Sequence, residues 1–269
     1  MFTGPKIFNN YDFSDMLWYI DTSNPDCWDG SGISDSTILY NLAKTDGSEY
    51  FLASDTSQFT SDDYELSKSY IHRKYHNSGT DNTNFKSNVS KQFFTSATTG
   101  AISGFVFLNG EIGTSDPSNQ GAQNIYLGGL NSRMSFSLSS GGTSHWGGVL
   151  VYNHGGTGGL AHRTYSQGTL LNGTWRSLGY TAAATGNNKL TITLYHDGIQ
   201  VSSGDYSIAD TDGNRLPHST STVSVMGGWS TGYGEFTGKY NNWMYFNTEL
   251  DATDFKQLHN TFKLKFNGL

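Results

Sequence analysis

The stretch KLTITLYHDGIQV, from Lys189 to Val201, decides the fold. Leu190, Ile192 and Leu194 alternate with Thr191, Thr193 and Tyr195, the two-residue period of a strand with one apolar face. Asp197-Gly198 follows at once, a dipeptide that accepts the left-handed backbone of a two-residue hairpin turn. The stretch therefore predicts a strand, a tight turn and a returning strand.

Similar signals recur on both sides. Arg133–Leu138 sets Met134, Phe136 and Leu138 on one face and Arg133, Ser135 and Ser137 on the other. Ala101–Leu108 (AISGFVFL) is a short apolar run, expected to end at Asn109-Gly110. Gly148–Tyr152, Thr222–Met226 and Lys239–Phe246 give further strands. Helical spacing appears only in Thr253–Phe262, where Phe255, Leu258 and Phe262 fall at i, i+3 and i+7. Strands with one apolar face must bury it, and the natural solution is an all-β, two-sheet antiparallel sandwich with one short C-terminal helix.

Composition agrees. Charged residues make up 14 % of the chain against the roughly 25 % usual in soluble domains. Polarity comes from Ser, Thr, Asn and 33 Gly, the residues of turns and exposed strand faces. Sixteen Tyr, sixteen Phe and six Trp supply a core, which excludes a disordered chain. With no repeat and no Pro-rich or charged linker, residues 1–269 are expected to form a single domain. Within it, 1–45 read as N-terminal strands or a leader and 56–99 as an irregular insertion.

Charge narrows the function classes. The net charge is −7, with 16 Lys plus Arg and no basic run, so a nucleic-acid surface is not expected. Cys27 alone forms no internal disulfide and no paired-thiolate metal site. The N-terminal MFTGPKIFNNYDF lacks the charged and apolar regions of a cleavable signal. No stretch approaches the roughly 18 apolar residues of a membrane span, so a soluble chain without membrane insertion is expected.

The acids near the C-terminus raise the question of catalysis. Glu249, Asp251 and Asp254 form E-x-D-x-x-D, close to the E-x-D-x-x-E of β-sandwich endoglucanases. In those enzymes the acids share a strand, and hydrolysis needs two carboxyls about 5–9 Å apart. Here Leu250 and Phe255 flank the acids at helical spacing. Asp251 stands where an N-cap belongs, and Asp254 can reach back as a capping box. The expected role is a latch at a helix start.

In chain order stand Gly173-Thr174-Trp175, the strand Leu190–Tyr195, Asp197-Gly198, Val223–Gly227 and Phe236-Thr237-Gly238-Lys239. Tyr245-Phe246-Asn247, Leu250 and the helix to Leu258-His259 follow. From Phe105 to Phe262 this order resembles the laminin-G-like, concanavalin A-like jelly rolls, and the resemblance implies that fold. Where that family has an acidic pair after F-x-G-x, this chain has Tyr240-Asn241-Asn242-Trp243.

A second series covers the first 45 residues. It consists of Gly4-Pro5-Lys6-Ile7, Leu17-Trp18-Tyr19-Ile20-Asp21, Asn24-Pro25, Gly30-Ser31-Gly32 and Tyr40-Asn41-Leu42. It resembles the leader of laminin-G-like virion proteins of tailed phages, especially phages of marine bacteria. This implies a structural protein of a phage virion, a fibre, tail or capsid decoration subunit assembled in the host cytoplasm. Its partners would be other virion subunits, as a homo-oligomer or one copy in a lattice, with host surface glycan as a further contact.

Other catalytic constellations are missing. The five Glu form no second acidic triplet, and there is no G-x-S-x-G, no H-E-x-x-H and no Walker loop. His145, His154 and His162 surround a glycine-rich stretch, yet their spacing matches no usual ligand pattern and strand-end histidines explain them. Gly155–Gly159 has no following Lys and reads as a hairpin loop.

Two ligand sites are candidates. In ADTDGNR, Asp210, Asp212 and Asn214 offer three oxygen ligands where calcium takes six to eight. Gly213 falls too early for a full calcium loop, and an Asp-Gly turn accounts for the same residues without metal. Calcium is the one cofactor considered, and none is assigned. In GGWSTGYGEF, Trp229 and Tyr233 stand in a glycine-rich loop from which their rings can stack on sugars, or can serve as core or subunit contacts.

The sequence thus points to a non-enzymatic virion subunit, either purely architectural or with host glycan as a further contact. The alternative is a free carbohydrate-binding or adhesion module, extracellular if not viral, and a glycan hydrolase or lyase ranks third.

Overall fold

The computed structural model describes residues 15–44, 46–54, 59–62, 70–73, 84–92, 99–111, 123–127, 133–141, 144–152, 159–166, 172–186, 189–207, 220–221, 224–225 and 238–266. In chain order the strands begin with β1 (Met16–Asp21), β2 (Ile38–Tyr40), β3 (Tyr50–Ser54), β4 (Phe59–Asp62), β5 (Tyr70–Arg73) and β6 (Asn84–Ser87). Next come β7 (Lys91–Gln92), β8 (Ala101–Glu111), β9 (Gln123–Leu127), β10 (Arg133–Gly141), β11 (Ser144–Tyr152) and β12 (Gly159–Ser166). The series closes with β13 (Asn172–Gly186), β14 (Lys189–His196), β15 (Ile199–Ser207), β16 (Thr220–Ser221), β17 (Ser224–Val225), β18 (Gly238–Phe246) and the helix α1 (Ala252–Phe266).

The fold is nearly all β, with antiparallel sheets packed as a sandwich and one C-terminal helix. The largest sheet has the order β15-β14-β13-β8-β18-β5-β4, with β1 also paired to β18. A second runs β17-β6-β3-β2, a third β12-β11-β10-β9, and β16 pairs with β7. Of residues 56–99, the described part supplies β4 and β5 to the largest sheet, β6 to the second and β7 to the pair with β16. Among the described residues no helix is long and apolar enough to cross a membrane.

The opening hairpin forms as its turn chemistry requires. His196 pairs with Ile199, leaving two turn residues. Asp197 has φ 52° and Gly198 φ 75°, the paired positive angles of a type I′ turn. A β-carbon on Gly198 would stand 2.7 Å from Cα of Lys256, so this tip presses against the helix. Leu190, Ile192 and Leu194 are fully buried on the inner face. Thr193 and Tyr195, on the opposite face, are buried as well.

The burial of both faces has one cause: the largest sheet is covered on each side. On the inner side Phe51 of β3 meets Trp18 of β1 at 4.7 Å and Trp243 of β18 at 6.1 Å between ring centroids, both edge-to-face. On the outer side α1 lays Phe255 on Tyr195 at 4.0 Å and Phe266 on Trp175 at 3.9 Å. This explains the continuous apolar run of β8, whose residues 102–110 are all buried.

The strand does not stop at Asn109-Gly110 as the turn signal suggests. It continues to Glu111 because β13 and β18 supply ladder partners on both edges, and the Asn109 side chain donates to the Gly173 carbonyl at 2.9 Å. Tertiary pairing here overrides a local turn preference.

β18 changes partner along its length. Gly238–Tyr240 pairs with β5, and Asn242–Phe246 with β1 on the same edge. The register to β8 slips between Tyr240 and Asn242. This bulge leaves the Asn241 carbonyl to accept from the Thr22 backbone N–H at 2.8 Å and its hydroxyl at 3.0 Å. Asn241 and Asn242 are therefore part of a buried structural joint.

Candidate functional site

The acids at 249–254 form a helix cap. Oδ1 of Asp251 accepts from the backbone N–H of Thr253 at 2.7 Å and of Asp254 at 3.0 Å. In return, Oδ2 of Asp254 accepts from the N–H of Asp251 at 2.9 Å. Three backbone donors at the helix start are thus satisfied, those of Asp251 and Asp254 reciprocally. Glu249 is exposed and precedes the helix.

A Ser-His-Asp cluster lies under the same helix. The Ser177 hydroxyl and Nδ1 of His259 are 2.9 Å apart, and Oδ1 of Asp197 is 3.7 Å from the same nitrogen. Arg176 donates to Oδ2 of Asp197 at 2.7 Å. A nucleophile relay needs serine and carboxylate on opposite ring nitrogens with the serine reachable by substrate. Here both meet one nitrogen, and Ser177 is 1 % exposed. The cluster ties α1 to the hairpin and β13.

Asp21 makes a second tie. Its Oδ2 accepts from Lys265 at 2.6 Å, and its Oδ1 accepts from the Ser23 backbone at 3.0 Å. His145 and His162 are not brought together. His162 opposes Val149 of β11, four residues along the strand from His145, about 13 Å at ordinary strand rise. His154 lies outside the described residues. Among the described residues no group of three or more His, Cys, Asp or Glu is placed to hold a metal.

Trp229, Tyr233, Asp210, Asp212 and Asn214 all lie outside the described residues, as does most of the glycine loop before β12.

What the described residues do form is a groove of about 470 Å³ built by the segment between β1 and the end of β2. One wall is the turn after Asn24, whose carbonyl accepts from the N–H of Cys27 at 2.9 Å and of Trp28 at 3.0 Å. The other wall is a turn in which Thr37 N–H bonds the Ser34 carbonyl, and the Thr37 hydroxyl accepts from Ser34 N–H, each at 2.8 Å. Gly32, at φ 100°, turns the chain between the walls. The floor is fixed by the Tyr40 N–H donating to the Cys27 carbonyl at 3.0 Å.

Side chains give the groove its character. Cys27 is fully buried and Trp28 nearly so. Burial pushes the Cys27 thiol far up, so it carries no thiolate chemistry. Asp26, Asp29, Ser31, Ser34 and Ser36 are exposed along the rim. Hydrogen bonds from the Ser31 hydroxyl and backbone N–H hold Asp29 below the usual carboxylate range. Tyr40 is 42 % exposed and lines the groove, with Tyr50 braced against it edge-to-face at 6.4 Å.

The sequence series places Asn24-Pro25, Gly30-Ser31-Gly32 and Tyr40 in order without marking them as a site. Trp28, Asp26 and Asp29 carry no motif. The available signal was an acidic, serine-rich loop ending on a tyrosine.

No family model matches this chain, and no curated protein matches it. Solved structures do. The binding domain of Paraclostridial Mosquitocidal Protein 1 aligns at TM-score 0.59 and 12 % identity, over 93 % of this chain and 53 % of that one. The receptor binding domain of botulinum neurotoxin D gives the same values. A botulinum neurotoxin type C structure, described by cell entry dependent on interaction with two ganglioside molecules, aligns at 0.56 and 11 %, over 93 % and 52 %. The chain thus spans about half the length of these structures, and the likeness at this identity is one of fold.

Proposed function

We propose that this chain is a non-catalytic binding module for a cell-surface glycan, engaged through the groove between Asp26 and Tyr40. The observation that carries this reading is the exposed Tyr40 ring, braced by Tyr50 and set beside a rim of hydroxyls and carboxylates. A sugar ring presents an apolar C–H face and a perimeter of hydroxyls. It needs an aromatic platform together with convergent acceptors and donors on a rigid scaffold. Neighbours described as binding or receptor-binding domains support a binding role over a catalytic one. The ganglioside interaction named for the type C neurotoxin supports a carbohydrate as the ligand class, without carrying over the ganglioside's sialic acid.

The test is a glycan array probed with the purified chain, followed by product analysis of any glycan bound. Retention without cleavage supports the reading. Cleavage, or no retention of any glycan, contradicts it.

The virion setting is the second reading, favoured by the N-terminal series, which is also the segment that builds the groove. It makes the same module a fibre, tail or decoration subunit, and the neurotoxin neighbours lend it no support. Mass spectrometry of particles, with native-mass measurement of oligomeric state, tests it. The loops carrying Trp229, Tyr233, Asp210, Asp212 and Asn214 are proposed as additional glycan contacts, with calcium bridging checked by chelation.

A further inference from the structure

We infer that the groove takes an uncharged saccharide and turns away sialylated, sulfated or phosphorylated ones. This rests on the glycan-binding reading above and adds the ligand's charge class.

Among the described residues, the charged groups lining the groove are Asp26 and Asp29, with no Lys, Arg or His beside them. Both carboxylates are exposed at the rim, where a ligand enters. The bonds from Ser31 hold Asp29 below the usual carboxylate range. On the same sheet face, Lys86 lies two strands away along the row Ile38, Leu52, Lys86. Ordinary strand spacing makes that about 10 Å, close to the screening length in 0.1 M salt. Among the described lining residues an anionic ligand thus meets two carboxylates and no compensating cation.

The groove keeps the pairing chemistry of a neutral sugar. Carboxylate oxygens accept from sugar hydroxyls, the hydroxyls of Ser31, Ser34 and Ser36 both donate and accept, and Tyr40 offers its ring. A sugar carboxylate or sulfate would leave Asp26 and Asp29 facing a like charge, which acts against that partner.

The full chain is applied to an array of neutral oligosaccharides printed beside their sialylated and sulfated derivatives and beside free-amino glucosamine oligomers. Signal is expected on neutral members, reduced at least about tenfold by sialylation or sulfation. That ratio narrows in high salt and in the Asp26→Asn, Asp29→Asn double variant. Sialylated or sulfated members bound as well as their neutral parents would overturn the inference while leaving the glycan reading in place. Binding confined to the amino-bearing oligomers would do the same. A chain with an intact melting transition that binds no saccharide would overturn both.

Discussion

Asp251 and Asp254 each hold the other's backbone N–H across the first turn of α1, at 3.0 Å and 2.9 Å. The spacing that resembles a glucanase signature is thus used to start the helix that covers the outer face of the largest sheet. Asp251→Ala should cost about 1 kcal/mol, the usual loss for an N-cap. Glu249→Gln, at an exposed position before the helix, should change neither stability nor glycan binding. Chemical denaturation and glycan-array binding of both variants check this, and a glycan-cleaving activity abolished in Glu249→Gln would restore a catalytic role.

The helix is seated by close contact as well as by its cap. A β-carbon on Gly179 would stand 2.3 Å from Cδ1 and Cε1 of Phe255, whose ring also stacks on Tyr195. Gly179→Ala should therefore lower stability by about 1–3 kcal/mol through overpacking. Phe255→Ala should cost about 3–5 kcal/mol through the cavity it leaves. Equal and small effects from both would mean that α1 is not packed as described.

Acid should loosen the same joint. Burial lowers the pKa of His259 and of His196 against the opposing pull of Asp197, with Arg176 also disfavouring the charged ring of each. Both rings are thus neutral in the folded chain at pH values where the unfolded chain already binds protons. The stability associated with them is fully present above the unfolded pKa of about 6.5 and is lost as pH falls toward the depressed folded values. Melting temperature should start to fall as pH drops below about 6.5, above the range where ordinary carboxylates titrate. His259→Gln should flatten that slope, and an unchanged slope would place the titration elsewhere.

The hairpin of Lys189–Val201 and the helix after Asp251 were legible in the sequence because their signals are local: alternation, an Asp-Gly turn, a cap and an i, i+3, i+7 apolar row. Asn109-Gly110 misleads because β13 and β18 pair across it, a long-range fact that no turn propensity encodes. The groove was hidden for the same reason. Tyr40 becomes a platform only when Tyr50 arrives beside it from the next strand and the Cys27 carbonyl takes its N–H. The sequence supplies an acidic serine loop and an isolated tyrosine, while the pairing that makes a groove of them is tertiary.

One substitution, read two ways, tests whether the Tyr40 ring binds glycan. Tyr40→Ala should lower affinity for whichever glycan the array identifies by about 2 kcal/mol, more than tenfold, as expected when an aromatic anchor is removed. Its stability should drop by no more than about 1 kcal/mol, the scale of one cross-strand pair on an exposed face. Titration calorimetry of the variant beside its melting curve gives both numbers. Full retention of glycan affinity in a folded Tyr40→Ala chain would contradict the account.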